Sequence, residues 1–203
     1  MPTSCSDKKP CRFILASSSP RRLRLLAQIG AVPDGVVPAE VDETARPDEL
    51  PADLARRLAE AKARSVARRF PGACVLGADT VVARGRRILP KAGNEAEARR
   101  CLNLLSGCRH RVSGGLSIIG AKGGVHHRLV TTAVIFKRLS QEETAAYIAC
   151  GEWRNKAGAY AIQGRAAAFI SKISGSYSNV VGLPLFETAA LLNGLGFRLG
   201  GKE

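Results

Sequence analysis

The residues able to do chemistry fall into a few short segments. Ser17-Ser18-Ser19-Pro20-Arg21-Arg22 stands where the apolar run Arg12-Phe13-Ile14-Leu15-Ala16 gives way to helical spacing. A strand end meeting a helix start presents free backbone N–H groups, and the helix dipole favours an anion there. Arg21 and Arg22 in the first helical turn oppose that dipole, at about 0.3–1 kcal/mol each. A bound phosphate reverses the sign, because serine hydroxyls, backbone N–H groups and guanidiniums all donate to it. A polar cap with two solvated arginines is the plainer alternative.

Asp79 stands inside Val75-Leu76-Gly77-Ala78-Asp79-Thr80-Val81-Val82. An acid in an apolar strand is expensive unless paired, protonated or metal-bound. Strand alternation puts it on the face of Val75, Gly77, Val81 and Ala83, where small Gly77 is expected to leave room beside the carboxylate. An Asp binding a turn at a strand's edge is the alternative. Asp42-Glu43, in a loop, forms a second acidic point among only six Asp in the chain. Two separate acidic points beside phosphate-binding arginines fit a divalent cation shared by protein and phosphates; alone, the pair reads as a loop or cap.

Only nine lysines occur. Lys62 falls on a long helical stretch, Lys91 follows a short strand, and Lys156 opens Lys156-Ala157-Gly158-Ala159-Tyr160-Ala161-Ile162-Gln163-Gly164. The glycines there let backbone approach a ligand closely, and the Gln163 amide suits recognition of a base. A surface Lys on a twisted strand reads the same segment without a ligand.

Other motifs fail. The GxxxxGK match at 196–202 lacks Ser or Thr and has no helix to follow, so it is no P-loop. There is no GxGxxG and no nucleophile elbow. The adjacent His126 and His127 point to opposite faces of a strand and make no zinc pair. The six cysteines, at 5, 11, 74, 101, 108 and 150, contain no CxxC.

Several elements must position these groups. Strands are expected at 12–16, 36–39, 73–83, 87–89, 109–119, 125–137 and 166–173. A hairpin joins 109–119 to 125–137 through residues 121–124. A first helix runs from Ser19 as N-cap to Gly30, with Leu23, Leu26 and Ala27 inward. A second covers 51–69, with Leu54, Leu58, Ala61 and Ser65 at helical spacing. Further helices cover 95–105, 140–151 with a Ser140/Glu143 capping box, and 184–193. Residues 175–184 read as a loop. The pattern is an α/β fold with a mixed sheet.

Composition sets the remaining bounds. The 203 residues, 45% hydrophobic, are enough for a substantial core. Lys and Arg total 31 against 17 acids, a net charge of +14, so anionic partners are expected. Aromatics are only 5%, without the basic and aromatic interleaving of a stacking platform, so no stable nucleic-acid partner is expected. No apolar run approaches a membrane span, and residues 1–11 read as a polar leader before one domain at 12–203. A reduced, cytoplasmic protein follows.

Together the segments resemble the Maf family of nucleotide pyrophosphatases. The resemblance runs in order through Ile14–Arg22, Val41-Asp42-Glu43-Thr44, Gly77-Ala78-Asp79-Thr80-Val81, Leu104-Leu105-Ser106-Gly107, Lys156–Gly164 and Gly175–Leu185, across about residues 12 to 195. It implies an elongated α/β fold of two lobes around a cleft, inosine-triphosphatase-like. It also implies cleavage of a nucleoside triphosphate to monophosphate and pyrophosphate with Mg²⁺ or Mn²⁺, clearing non-standard or excess pyrimidine nucleotides. It makes Asp79 the proton acceptor and a metal ligand with Glu43. Ser17, Arg21, Arg22, Lys62, Thr80, Lys91, Lys156 and Gln163 become substrate-binding. Arg21, Thr80 and Gln163 match the branch acting on dTTP and UTP; the 7-methyl-GTP branch has Trp and Gln in place of Arg21 and Thr80. The chain departs from the family pattern at Pro90-Lys91-Ala92, Asn155 and Ser113-Gly114-Gly115. A homodimer is left open. A basic nucleic-acid-binding module or a cell-division regulator without turnover are the competing classes.

Overall fold

The computed structural model describes residues 11–200; the expected leader at 1–11 lies outside them except for Cys11, which packs against the core. The strands are β1 (Phe13–Ala16), β2 (Gly35–Val36), β3 (Cys74–Arg84), β4 (Arg87–Leu89), β5 (Arg109–Ile119), β6 (Val125–Phe136) and β7 (Ile170–Ser174). The helices are α1 (Pro20–Gln28), α2 (Pro51–Ala67), α3 (Glu95–Leu105), α4 (Gln141–Cys150), α5 (Tyr177–Val181) and α6 (Leu185–Gly194). One mixed sheet runs in the order β2-β1-β3-β5-β6-β7, with β4 on β3.

The sheet has a gap, and the gap makes the cleft. Along one edge of β3, β1 pairs in parallel as far as Ala16 opposite Gly77. Farther along the same edge, β4 pairs antiparallel starting at Val82 opposite Leu89. Neither strand covers residues 78–81, whose other edge is held by β5. The chain leaves β1 at Ser17 and β4 at Pro90, so both exits border the gap. Crevices where neighbouring strands part company are the usual ligand sites of α/β sheets.

Two main hydrophobic clusters flank this gap on the shared sheet. One joins Phe13, Leu15, Leu25 and Leu26 to Leu76, Ala78, Leu116, Leu191 and Leu192. The other joins Val82, Leu89, Leu102, Leu105 and Phe136 to Tyr147, Trp153, Tyr160 and Phe169. Among the described residues no helix is long and apolar enough to cross a membrane.

Helix α2 lies against β3 and β5 with unusually little between them. A Cβ on Gly77 would stand 2.4 Å from the Ala59 carbonyl oxygen, and one on Gly115 would stand 2.1 Å from that of Ala55. The room expected beside Asp79 at Gly77 is therefore filled by the helix backbone. Because Gly115 pairs with Asp79 across the sheet, the two glycines let α2 settle over the carboxylate.

Five other expectations change. The expected loop at 175–184 carries helix α5, capped by the Ser176 hydroxyl accepting from the Asn179 N–H, and the strand expected at 36–39 shrinks to Gly35–Val36. In α1 the buried face is Arg22, Leu25 and Leu26, whereas Leu23 and Ala27 are exposed. Ser19 occupies the N-cap position, yet its side chain makes no capping bond. The expected strand at 166–173 opens as a 3-10 turn over Arg165–Phe169, and β7 begins only at Ile170. The helices at 51–69, 95–105 and 140–151 form as α2, α3 and α4, the last with its Ser140/Glu143 capping box.

Candidate active site

Ten of the residues singled out in the sequence line one cleft of about 470 Å³: Ser17, Arg21, Arg22, Glu43, Lys62, Asp79, Thr80, Lys91, Lys156 and Gln163. Asp42 does not join them. It is exposed and accepts a bond from the Thr44 backbone N–H at 2.9 Å, which ties its own loop.

The centre of the cleft is an ion triad. Lys62 Nζ lies 2.5 Å from Asp79 Oδ1 and 2.6 Å from Glu43 Oε1. Lys62 and Asp79 are buried, at 7% and 8% exposure. An unpaired ammonium there would cost several kcal/mol; two carboxylates answer it. Lys91, largely exposed, reaches Glu43 Oε2 at 3.4 Å. Partial burial pushes the Glu43 carboxyl up, but the bond and charge of Lys62, with Lys91, outweigh it and hold it below its ordinary range.

Arg22 is a brace as well as a cation. Its Nε donates to the Gly182 carbonyl at 2.9 Å, Nη1 to Ser17 Oγ at 3.0 Å and Nη2 to Thr80 Oγ1 at 3.3 Å. Thr80 Oγ1 also donates to the Gly182 carbonyl, at 3.4 Å. The start of α1, the gap in β3 and the end of α5 are thereby tied together. Gly182 was absent from the residues picked from sequence; its role comes from its carbonyl, and no side-chain pattern announces a carbonyl.

Arg21 and Lys156 remain without an acidic partner among the described residues. Burial lowers the Arg21 pKa, and the charges of Arg22 and Arg24 lower it further. Burial likewise lowers Lys156, with Arg21 adding to it and Glu152 opposing. Cations crowded until they disfavour one another form a site that an anion relieves. Gln163 is exposed at the rim and makes no side-chain hydrogen bond among the described residues. Val180 and Val181 give the wall an apolar stretch.

The donor set also bears on a metal. Glu43 and Asp79 are hard oxygen donors, each with one oxygen on the Lys62 ammonium, and no cluster of three or more His, Cys, Asp or Glu exists among the described residues. Two protein carboxylates, with phosphate oxygens and water, suit Mg²⁺ rather than a metal fully caged by protein.

The family profile described as Maf-like protein matches residues 12–195. A dTTP/UTP pyrophosphatase of Paramagnetospirillum magneticum is 65% identical over 185 residues, covering 91% of this chain and 97% of that protein. Those of Rhodospirillum rubrum and Caulobacter vibrioides are 60% and 58% identical, over 93% and 92% of this chain and 90% and 96% of theirs. Among solved structures, the Staphylococcus aureus Ham1 protein gives a TM-score of 0.44 at 17% identity, over 62% of this chain and 71% of that one.

Proposed function

The chain belongs to the Maf-like family, and from that premise we propose that it is a cytoplasmic pyrophosphatase of dTTP and UTP. The products are the nucleoside monophosphate and pyrophosphate. The observation that carries the reading is the Lys62 bridge between Asp79 and Glu43 at the foot of a cationic cleft.

The parts divide the work. Arg21, Lys91 and Lys156 attract and orient the triphosphate. Ser17 and the backbone N–H groups before α1 meet a phosphate at the helix start. Arg22, held by Gly182, Ser17 and Thr80, keeps its charge in place without reorganising, as electrostatic catalysis requires. Asp79 orients a water and takes its proton as that water attacks the α-phosphorus, and the anhydride bond to the β-phosphate breaks. Lys62 fixes the Asp79 carboxylate and neutralises part of the local charge. A divalent cation on Glu43 and Asp79, Mg²⁺ or Mn²⁺, would supply charge stabilisation to the departing pyrophosphate. Gln163 offers both a donor and an acceptor to the N3–H and carbonyl edge of uracil or thymine. The five free cysteines among the described residues agree with a reducing compartment.

Product analysis tests the reading. UTP incubated with the purified chain and Mg²⁺ yields UMP and pyrophosphate, separated by ion-exchange chromatography. UDP with orthophosphate would overturn the α–β cleavage.

A further inference from the structure

The mechanism leaves one buried polar pair unused. His110 on β5 is 1% exposed, and its Nε2 lies 2.9 Å from the hydroxyl of Tyr160, itself 5% exposed. The two rings meet edge to face with centroids 5.5 Å apart, and Phe136 packs edge-on to both, at 5.2 and 5.0 Å. A Phe at 110 would suit that aromatic cluster without bringing buried polar atoms. Burial pushes His110 down to about 4, so the imidazole is neutral at working pH.

Tyr160 joins this cluster to the cleft. Tyr160 lines the cleft, and its hydroxyl meets His110. It sits midway between Lys156 and Gln163, in a segment with little regular structure. That segment contains Ala159 at φ +57, a left-handed conformation that costs a non-glycine residue about 1–2 kcal/mol. Strain of that kind persists only where neighbours over-determine the backbone. The neighbours are identifiable: Gly158 N–H donates to the Leu89 carbonyl at 3.0 Å, Ala161 N–H to the Tyr147 hydroxyl at 3.1 Å and Arg165 N–H to Glu152 Oε2 at 2.8 Å. The His110–Tyr160 bond holds the middle of the segment.

We propose that His110 is a positioning residue: through the Tyr160 hydroxyl it sets the 156–164 segment so that Lys156 and Gln163 face the substrate. This rests on the reading of those two side chains as substrate-binding. The segment is ordered before the nucleotide arrives, so binding does not have to order it. Loss of the bond therefore weakens binding and leaves the chemistry at Asp79 nearly untouched.

Three full-length variants test it: Tyr160→Phe, which removes one buried oxygen atom, His110→Phe, and the double. Steady-state kinetics on UTP are measured beside calorimetric binding of inorganic tripolyphosphate and thermal melting. Each single variant is expected to raise KM for UTP and the tripolyphosphate Kd roughly 10-fold, with kcat within about threefold. The double is expected to match the singles, near 10-fold and not 100-fold, because one bond is lost in all three. A Tyr160→Phe protein with unchanged KM and Kd, whatever its melting temperature, overturns the proposal. So does a multiplicative double. Wild-type chain that binds tripolyphosphate but does not cleave UTP overturns the proposed function, while the binding comparison still decides this inference. Wild-type chain that neither binds nor cleaves overturns both.

Discussion

Replacing Gly77 by Ala is the sharpest probe of how the fold builds the site. The added methyl would stand 2.4 Å from the Ala59 carbonyl oxygen and 2.6 Å from the Ala63 nitrogen, both backbone atoms of α2. Neither can swing aside as a side-chain tip would. Ordinary contact needs a separation about 1 Å greater, so the helix must lift off the sheet by a comparable distance. Lys62 stands next to Ala63 and moves with it, away from the Asp79 oxygen now 2.5 Å distant. A displacement of about 1 Å at a reacting group is enough to cost roughly 10²-fold in rate. Overpacking of a tight core costs about 1–3 kcal/mol, which in a chain of this size lowers Tm by several degrees, about 3–10 °C.

The assay is kcat/KM for UTP beside Tm, with Gly35→Ala as control. Gly35 has nothing within 4 Å of its would-be Cβ, so that variant is expected to match the wild type in both. A folded Gly77→Ala protein with kcat/KM within threefold of wild type would refute the reasoning: α2 would then tolerate displacement, and the close approach would not set the Lys62–Asp79 geometry.

Asp79→Asn keeps the side chain's shape and leaves Lys62 its bond to Glu43, so Tm is expected to change little while turnover falls roughly 10²-fold or more; near-normal turnover would reduce Asp79 to a structural role. Gln163→Ala is expected to narrow the kcat/KM gap between UTP and CTP without altering metal dependence, since a site built around a base hydrogen bond penalises a base that cannot answer it; equal loss on every nucleotide would move base recognition elsewhere. Stability against pH is expected to isolate His110. Its ordinary value of 6.5 falls to about 4 in the native protein, so below pH 6.5 the unfolded chain takes up a proton that the folded one refuses. Stability is therefore full above about pH 7 and declines as pH falls from 6.5 towards 4, by up to about 3 kcal/mol from this residue. Urea unfolding of His110→Phe at pH 7.5 and 5 should show a flatter decline than the wild type; parallel declines would contradict the assignment.

The sequence made the site more legible than the helix faces, and the reason is physical. Asp79 in an apolar strand and arginines at a helix start violate local rules, so they are conspicuous wherever they fall, and ten of the residues chosen on such grounds or by resemblance reach one cleft, while Asp42 only ties its own loop. The face of α1 is a different matter. Leu23 competes with Arg22, Leu25 and Leu26 for the inward stripe, and hydrophobicity alone chooses Leu23. The fold chooses Arg22, because a carbonyl 160 positions away, at Gly182, accepts its Nε–H. Gly77 shows the same limit from the other side. Its smallness was visible, but whether a ligand or a helix uses the space depends on Ala55 and Ala59 lying over it. Short-range pattern also misjudged 166–173, where Ala166 and Phe169 are buried by a 3-10 turn rather than by a strand. For Arg22 and Gly77 the deciding partner is distant in sequence and is a backbone group, carrying no side-chain identity that a pattern can register. Those same backbone contacts fix where Arg22, Lys62 and Asp79 meet, so catalytic geometry here rests on residues without chemistry of their own.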